Sequence, residues 1–559
     1  MCGIGGLISK DSTNVIPLTK SMMISMNKRG PDGTGLLIDN RVYQYDTPEK
    51  ILCNGSDTNT KLALGHIRLA IVGERNYIQP FKSCDGRLVM EHNGEIYNYK
   101  MLKEKLKKEH KFISNTDSEV IIHLLEHYYK ETGFSDLLKA IRKTVADLDG
   151  IYALAIKDQK EDKIYLVRDR LGIRQIYYGQ NDKVIGFASE RKGLWQIGIK
   201  EPTISLLPGH CVILSDKIST PIKISEPPIN YSNEPTFSNL EDAILSYKTA
   251  LYNSIKKRSQ DLSRIGIIFS GGIDSVLVAK ITKELVPNVT CYTSGIAGSD
   301  DIKFSKIIAD ELDLDLKINE LDVKDIENML PNILNIIETN NSTQAEVSIP
   351  IFGALKLAAK DGLRVVFTGQ GADELFGGYS WYVKIFSKYG YKKLKEYMIQ
   401  DLLLLYKETL EREDKISMAN SIEMREPFLD SEVVKTATSI NMNLNIVNNN
   451  DSFGKRVHRE LAIRVGIPKY IAYREKQAAQ HGAGIHGILT KIAEKNGFNK
   501  KMVTKEYIAD IAKREKLGSS ERYGYLFDDK ISWNSATWVQ LYLDKLTTNR
   551  NQIACEIKR

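Results

Sequence analysis

An apolar segment that ends in a glycine-rich turn constrains the fold of this chain more than any other feature. Ile265–Phe269 is an unbroken apolar run, and Ser270-Gly271-Gly272-Ile273-Asp274-Ser275 follows it directly and opens a helix. Further apolar strands are expected at Val289–Thr293 and Arg364–Phe367, with helices between them. Apolar strands that alternate with helices indicate a parallel sheet covered on both faces, so we predict an α/β domain here.

The first ~215 residues show a different pattern. Short β-type runs such as Leu62–Leu64, Leu69–Val72 and Ile151–Ile156 are separated by turn signals, and helical spacing occurs around Tyr99–Lys108 and Ser118–Tyr129. Many strands with few helices favour stacked antiparallel sheets. We therefore predict an α+β amino-terminal domain.

A polar, proline-rich stretch from Pro221 to Pro235 separates the two patterns and reads as a linker. Ser238 and Glu241 have capping-box spacing ahead of an amphipathic helix. The chain has 559 residues, above the roughly 250–300 at which a single core stops growing. We predict a domain over residues 2–215, a linker over 216–237 and a second domain over 238–559.

Composition and charge exclude several classes of protein. The net charge of +7 is small for this length, and no nucleic-acid-binding motif accompanies the scattered lysines. No segment supplies the ~20 apolar residues of a membrane span, and the amino terminus does not resemble a signal peptide. The six cysteines lack paired spacing, which excludes a CxxC zinc or redox motif and disfavours a disulfide scaffold. We expect a cytoplasmic protein that binds neither membranes nor nucleic acid.

Cys2 is a candidate nucleophile, because removal of Met1 places its thiol beside a free α-amine. Such an amine, with a pKa of roughly 7.7–8.0, is able to act as the base for the thiol. Asn93-Gly94 offers a side-chain amide and an accessible backbone N–H, the pair that stabilises an oxyanion in acyl transfer. The segment His66–Ile71 brings Arg68 to a predicted strand, and Asp117 precedes a helix where it could hold a substrate ammonium.

These segments, together with Arg29-Gly30-Pro31-Asp32-Gly33, resemble the class II glutamine amidotransferase domain over about residues 2–210. The resemblance implies that Cys2 attacks the glutamine amide and that Asn93 and Gly94 form the oxyanion hole. It assigns glutamine binding to these two residues and to Arg68, Glu95 and Asp117. Arg168-Asp169-Arg170-Leu171-Gly172 and Ala188-Ser189-Glu190 match further landmarks, whereas Lys28 stands where the family usually has His.

The turn after Ile265–Phe269 is a second candidate site, because its small residues and helix N-terminus can cradle a phosphate. It lacks the Walker pattern, and its SGGxDS form resembles the pyrophosphate loop of the ATP pyrophosphatases. A second cluster, Thr368-Gly369-Gln370-Gly371-Ala372-Asp373-Glu374, follows the strand Arg364–Phe367. Asp274 and Asp373 are candidates to hold Mg²⁺ together against phosphate oxygens.

With segments 417–430 and 454–460, these motifs resemble the synthetase domain of the glutamine-hydrolysing asparagine synthetase family over roughly residues 238–485. The resemblance assigns a transition-state charge role to Lys455. It implies ATP or pyrophosphate binding by Ser270, Gly271, Gly272, Asp274, Ser275, Ser294, Thr368, Gly369 and Lys455. It implies acceptor binding by Gln370, Asp373, Glu374, Glu423 and Arg425, and it marks Arg474, Lys476 and Gln477 as a further landmark.

The resemblance implies that ammonia released from glutamine attacks an acyl-adenylate made from aspartate and MgATP. Gln370 and Lys415 stand where well-known members have Glu and Arg, and both differences bear on acceptor recognition. Another carboxylic acid acceptor, including that of a β-lactam-type cyclase, is one alternative. A non-catalytic glutamine or nucleotide sensor is the other, which intact Asp274 and Lys455 disfavour. The sequence leaves open whether the chain forms a homodimer.

Overall fold

The structure is a computed structural model that describes residues 1–52, 60–200, 202–232, 234–448, 451, 453–475, 477–510 and 537–556. The chain divides into two compact units. Unit 1 comprises Met1–Pro228 and Thr409–Glu423, and unit 2 comprises Ile229–Glu408 and Met424–Arg559. The first boundary lies within the predicted linker, whereas the return of Thr409–Glu423 to unit 1 has no counterpart in the sequence predictions. No helix among the described residues is long and apolar enough to cross a membrane.

The strands follow the chain in this order: β1 (Gly3–Ser9), β2 (Thr34–Ile38), β3 (Arg41–Tyr45), β4 (Leu62–Ile67), β5 (Phe81–Lys82), β6 (Leu88–Ile96), β7 (Gly150–Asp158), β8 (Lys163–Arg168), β9 (Tyr177–Gln180), β10 (Val184–Ala188), β11 (Ile204–Ser205), β12 (His210–Leu214), β13 (Ile222–Lys223), β14 (Arg264–Ile268), β15 (Asn288–Ile296), β16 (Asp315–Leu321), β17 (Val365–Phe367) and β18 (Glu423–Arg425).

The helices are α1 (Ile16–Ser25), α2 (Tyr99–Leu106), α3 (Asp117–Glu131), α4 (Leu137–Asp147), α5 (Arg191–Gln196), α6 (Leu240–Arg258), α7 (Ile273–Leu285), α8 (Asp300–Glu311), α9 (Val323–Ile337), α10 (Ser342–Lys360), α11 (Ala372–Phe376), α12 (Ser380–Leu405), α13 (Glu411–Ala419), α14 (Ser431–Thr438), α15 (Arg456–Arg464), α16 (Lys469–Ala472), α17 (Ala479–Gly482), α18 (His486–Lys495) and α19 (Thr537–Glu556). Gly390 interrupts the helical conformation within α12.

Unit 1 is a sandwich of two antiparallel sheets, as predicted. In the described residues one sheet has the order β11-β9-β10-β1-β4-β2-β3, and the other has the order β13-β12-β8-β7-β6-β5. Side chains that alternate along the strands form three cores: one between the sheets, one under α1 and α5, and one under α2, α3 and α4. Ile4 and Ile8 of β1 enter the core between the sheets, whereas Leu7 enters the core under α1. The packing therefore fixes β1, and with it Cys2, in the middle of a sheet.

Unit 2 contains the predicted parallel sheet, with the strand order β16-β15-β14-β17-β18 in the described residues. β14 is parallel to β15 and β17, and β15 is parallel to β16. Successive residues Ile265, Gly266 and Ile267 of β14 are all buried, so both faces of the sheet are covered. The glycine-rich turn leaves the carboxyl end of β14, the edge at which open α/β sheets bind ligands.

Two local predictions were wrong. Leu69–Val72 is a turn after β4 and not a strand, because the Asp32 carboxylate accepts the Ala70 N–H at 2.9 Å and the Arg68 side chain donates to the Val72 carbonyl at 3.2 Å. These side chains satisfy the backbone groups that a neighbouring strand would otherwise need. The N-cap of α6 is Asn239, whose Oδ1 accepts from Asp242 N at 2.9 Å, and not Ser238.

Candidate active sites

The main chain of Cys2 is held from two sides just before β1. Its N–H donates to Asn93 Oδ1 on β6 at 3.0 Å, and its carbonyl accepts from Arg29 Nε at 3.1 Å. The strand register pairs Asn93 and Gly94 of β6 with Ala153 and Tyr152 of β7 in the second sheet. Two sheets therefore fix the position of the thiol relative to the Asn93 amide.

A cavity opens beside Cys2. Its lining includes four more of the residues predicted to handle glutamine, namely Arg68, Gly94, Glu95 and Asp117. Asn93 Nδ2 is buried and has no hydrogen-bond partner within the described part of the chain. The structure thus brings the predicted glutaminase residues together and leaves an amide donor available next to the nucleophile.

The ionisation of Cys2 depends on its burial. Burial raises the pKa of the Cys2 thiol, and the charges of the amino terminus and of Arg68 offset this effect only in part. The thiol is therefore protonated at neutral pH, and a nearby base must remove its proton before it can attack.

The Arg29–Gly33 turn supports the end of β4 that leads to Arg68. Pro31 forms a bridge with Arg68, and Arg68 N donates to the Gly33 carbonyl at 2.8 Å. A Cβ atom on Gly30 would lie 2.2 Å from the Ile67 carbonyl carbon, so only glycine fits this approach. Asp117, the first residue of α3, accepts the Ile96 N–H at 2.9 Å and so ties α3 to the end of β6.

In unit 2 the predicted phosphate loop has the expected strand–turn–helix form. Gly271 has φ +65°, a conformation that favours glycine, and Gly272 is the N-cap of α7. Ser275 Oγ donates to the Gly272 carbonyl at 3.0 Å and accepts from Ser270 N at 3.3 Å. The loop is thus closed on itself at the N-terminus of α7, a position with positive potential for an anion.

Lys455 connects the two predicted magnesium ligands. Its Nζ lies 2.7 and 2.8 Å from the two carboxylate oxygens of Asp274 and 2.6 Å from Asp373 Oδ1. A Cβ atom on Gly378 would lie 1.9 Å from Asp373 Oδ1 and 2.1 Å from Lys455 Cε, so a side chain at this position would displace both groups. Two carboxylates therefore converge on one cationic position beside the phosphate loop.

The remaining predicted nucleotide residues surround this loop. A Cβ atom on Gly369 would lie 2.9 Å from Asp274 Cβ, so Gly369 packs against the loop. Thr368 N donates to the Arg425 carbonyl at 3.1 Å, and Ser294 Oγ on β15 donates to the Asn319 carbonyl at 2.9 Å. Arg474, from the basic landmark, donates to the Gly271 carbonyl at 3.0 Å.

The predicted acceptor residues lie in different surroundings. Gln370 follows β17 in the turn before α11, and Glu374 within α11 is buried and accepts from Tyr379 OH at 2.7 Å. Burial and the neighbouring Asp373 raise the pKa of Glu374 to about 7. Glu423 belongs to unit 1, where its Oε2 lies 2.7 Å from the Met1 amine. The Arg425 guanidinium donates to the Arg258 carbonyl in unit 2.

Comparisons with known proteins match a protein family to each half of the chain. Residues 53–207 match the family described as "Glutamine amidotransferase domain", and residues 246–391 and 387–547 match "Asparagine synthase". The chain is 35% identical to a putative glutamine-hydrolysing asparagine synthetase 1 of Methanocaldococcus jannaschii, over 92% of this chain and 99% of that protein. The chain belongs to the asparagine synthase family.

Other members and one solved structure are more distant. Asparagine synthetase [glutamine-hydrolyzing] 1 of Arabidopsis thaliana is 29% identical over 87% of this chain and 78% of that protein. A glutamine phosphoribosylpyrophosphate amidotransferase from B. subtilis, solved with ADP and GMP, aligns with a TM-score of 0.35 and 20% identity over 53% of this chain and 67% of that one.

A buried charge cluster that the sequence does not predict contacts the main chain of Cys2. Arg29 NH1 lies 3.0 Å from Glu190 Oε1 and 2.7 Å from Asp414 Oδ2 on α13. Arg174 lies 3.9 Å from Asp414. Asp414 is 385 positions from Arg29, so no spacing pattern could reveal the pair. The landmark residue Glu190 therefore acts by holding Arg29, which in turn holds the Cys2 carbonyl.

Two more residues have partners that the sequence did not suggest. His458 Nε2 lies 3.1 Å from Asp274 Oδ1, and its Nδ1 lies 2.8 Å from Tyr247 OH, so this pair positions Asp274. Lys415 lies in unit 1, with Nζ 5.0 Å from the centre of the Tyr177 ring. Lys415 is therefore part of unit 1, although the sequence motif suggested a role in acceptor recognition. Lys476 lies outside the described residues.

Proposed function

We propose that this protein makes asparagine from aspartate, MgATP and glutamine, and releases AMP, pyrophosphate and glutamate. One half-reaction produces ammonia at Cys2. The other activates the β-carboxylate of aspartate, because a carboxylate is a poor electrophile until it carries a leaving group. We also propose a cytoplasmic location, where the thiol stays reduced and ATP is available.

In the glutaminase reaction, removal of Met1 would turn the Cys2 nitrogen into an α-amine, which takes the thiol proton. The buried, un-ionised thiol makes such a base necessary. Cys2 Sγ then attacks the side-chain carbonyl of glutamine, ammonia leaves, and water hydrolyses the thioester to glutamate. Asn93 Nδ2 and the Gly94 N–H stabilise the oxyanion, and the unpartnered state of Asn93 Nδ2 supports this role.

The same cavity has the charges that a glutamine α-ammonium and α-carboxylate require. We assign the carboxylate to Arg68 and the ammonium to Asp117, with Glu95 beside them, since these residues line the cavity that contains Cys2. The Arg68 side chain donates to the Val72 carbonyl, and the Asp117 carboxylate accepts the Ile96 N–H. Both side chains are therefore held in place by main-chain groups. This preorganisation reduces the entropy cost of holding the substrate.

In the synthetase reaction, the loop Ser270–Ser275 receives the phosphates of ATP at the N-terminus of α7. Asp274 and Asp373 already converge on a cation, and their hard oxygen atoms suit the Mg²⁺ that accompanies ATP. Mg²⁺ supplies charge neutralisation for the departing pyrophosphate. When ATP is bound, Lys455 would contact phosphate oxygens instead of the two carboxylates. There it would stabilise the charge that develops as the aspartate carboxylate attacks the α-phosphorus.

We also propose which residues of unit 2 recognise the acceptor. We assign this recognition to Gln370, Asp373, Glu374 and Arg425, of which Asp373 Oδ1 lies 2.6 Å from Lys455 Nζ. Gln370 is neutral and cannot supply the negative charge that a Glu would place there. We therefore assign the ammonium of aspartate chiefly to the Asp373 carboxylate, because Glu374 keeps its proton up to a pH of about 7.

The observation that supports the function is the 35% identity, over 92% of this chain, to a putative glutamine-hydrolysing asparagine synthetase, together with the matches to both domain families. Pyrophosphate release should be measured with glutamine and a panel of carboxylic acids. Aspartate should give a rate above background, and Asp274→Asn should abolish it with either glutamine or ammonium salts. A rate with a different acid alone would replace aspartate as the acceptor, and no rate with any acid would favour the sensor.

A further inference from the structure

Unit 1 contains a cluster of four metal-ligating side chains that the glutaminase reaction does not use. Cys84 Sγ lies 3.7 Å from His110 Nδ1 and 3.6 Å from His123 Nδ1. Glu126 Oε2 lies 3.0 Å from His110 Nδ1 and 3.7 Å from His123 Nδ1. The four ligand atoms all lie within 4.8 Å of one another.

Three separate segments bring these side chains together. Cys84 lies in the turn between β5 and β6, His110 follows α2, and His123 and Glu126 are one turn apart on α3. Both histidines and Glu126 are buried, whereas Cys84 is at the surface. The cysteine therefore closes the cluster from the solvent side.

The distances agree with those of a tetrahedral zinc site. Zinc binds cysteine sulfur at about 2.3 Å and histidine nitrogen at about 2.0–2.1 Å, so tetrahedral S···N and N···O edges are roughly 3.5 and 3.4 Å. The observed S···N distances of 3.6 and 3.7 Å match the S···N edge. The observed N···O distances of 3.0 and 3.7 Å lie below and above the N···O edge. A thiolate, two imidazoles and a carboxylate are ligands that zinc accepts.

Surrounding groups orient the ligands in the manner of a metal site. His123 Nε2, the nitrogen that faces away from Cys84, lies 3.4 Å from Glu119 Oε1. Glu119 is itself fixed by Ile113 N and Ser114 N at 2.7 Å each. Lys111 N donates to Cys84 Sγ at 3.4 Å, a contact that stabilises a thiolate. A carboxylate behind a ligating histidine is the usual outer-shell arrangement around zinc.

We propose that Cys84, His110, His123 and Glu126 bind one zinc ion in a closed, four-ligand structural site. The ion ties the β5–β6 turn to α3. β6 carries Asn93 and Gly94, and α3 begins at Asp117, so zinc fixes the two elements on which the glutamine cavity depends. Water has no coordination position in a site with four protein ligands, so zinc acts here on stability and not as a catalyst.

The test is the metal content of the full-length protein, purified from zinc-supplemented cells and dialysed without chelator. About one zinc ion per chain is expected, with loss of the zinc in Cys84→Ser and in His123→Asn. His210→Gln, a change in the same unit whose Nδ1 contacts only the nearby Pro208 carbonyl among the described residues, should keep the zinc. Replacement of zinc by cobalt(II) should give the absorption of a tetrahedral thiolate complex, which Cys84→Ser removes.

Two outcomes would overturn the proposal. One is wild-type protein without stoichiometric zinc that also fails to bind cobalt(II). The other is zinc that survives Cys84→Ser but disappears in His127→Gln, because Glu109, His110 and His127 form a neighbouring group of ligands. Chelator treatment of the wild type gives a readout that needs no variant: removal of zinc should lower the unfolding temperature, and added zinc should restore it.

Discussion

Arg29 provides a direct test of how Cys2 is held. Its guanidinium is 1% exposed and contacts the Cys2 carbonyl, Glu190 and Asp414, whose side chains are also 1% exposed. Arg29→Met removes the positive charge and leaves two buried carboxylates without it. Loss of one partner from a buried ion pair typically costs about 3–5 kcal/mol. For a unit of this size that corresponds to a decrease of roughly 6–20 °C in unfolding temperature.

Arg75→Met is the matched control for this experiment. Arg75 also makes a salt bridge in unit 1, to Asp32 at 2.7 Å, but its side chain is 70% exposed. Exposed pairs contribute about 0–1 kcal/mol, so this variant should unfold close to the wild type. Both should be followed by thermal unfolding at neutral pH, with Arg29→Lys expected between them because a lysine has charge but no fork. Equal decreases in unfolding temperature for Arg29→Met and Arg75→Met would contradict the larger contribution of the buried Arg29 ion pairs.

Two further predictions concern stability. The folded chain binds a proton at Glu374 up to pH about 7, above the ordinary value of 4.5, so ionisation of this buried group should destabilise the fold as the pH rises from 4.5 to 7. In the wild type the unfolding free energy should fall by about 1.4 kcal/mol per pH unit over this range, and in Glu374→Gln this decline should be absent. A difference in unfolding free energy between the two proteins that stays constant with pH would contradict the assignment. Gly30→Ala should cost about 1–3 kcal/mol, because its Cβ atom meets the Ile67 main chain at 2.2 Å. Gly487→Ala, with nothing within 4 Å, should be neutral or slightly stabilising in the same thermal assay, and equal effects of the two alanines would count against the close approach at Gly30.

The features that the sequence predicted well have local signals. The phosphate loop lies between an apolar strand and a helix, and both the strand period and the glycine turn are visible within ten or so residues. The same holds for the alternation that predicted antiparallel sheets in unit 1. Leu69–Val72 shows where local signals fail. Its apolar residues favour a strand, but the carboxylate of Asp32, far upstream, accepts the Ala70 N–H and stabilises a turn.

Long-range contacts explain what the sequence could not predict. Asp414 reaches Arg29 because Thr409–Glu423 returns to unit 1, and no composition change marks that return. The sequence does not indicate the group of Cys84, His110, His123 and Glu126, because zinc motifs have short, paired spacings, whereas these four residues come from a turn, a loop and a helix. Glu423 was predicted from its motif alone, and its contact with the Met1 amine depends on the tertiary fold.

Cys2 is proposed to serve only the release of ammonia from glutamine, while a separate site performs the ATP chemistry. Asparagine formation by Cys2→Ala should be compared with glutamine and with ammonium salts as the nitrogen source. We expect no asparagine from glutamine and an undiminished rate from ammonium. Asparagine from glutamine at the wild-type rate, or loss of synthesis from both sources in a folded variant, would contradict it.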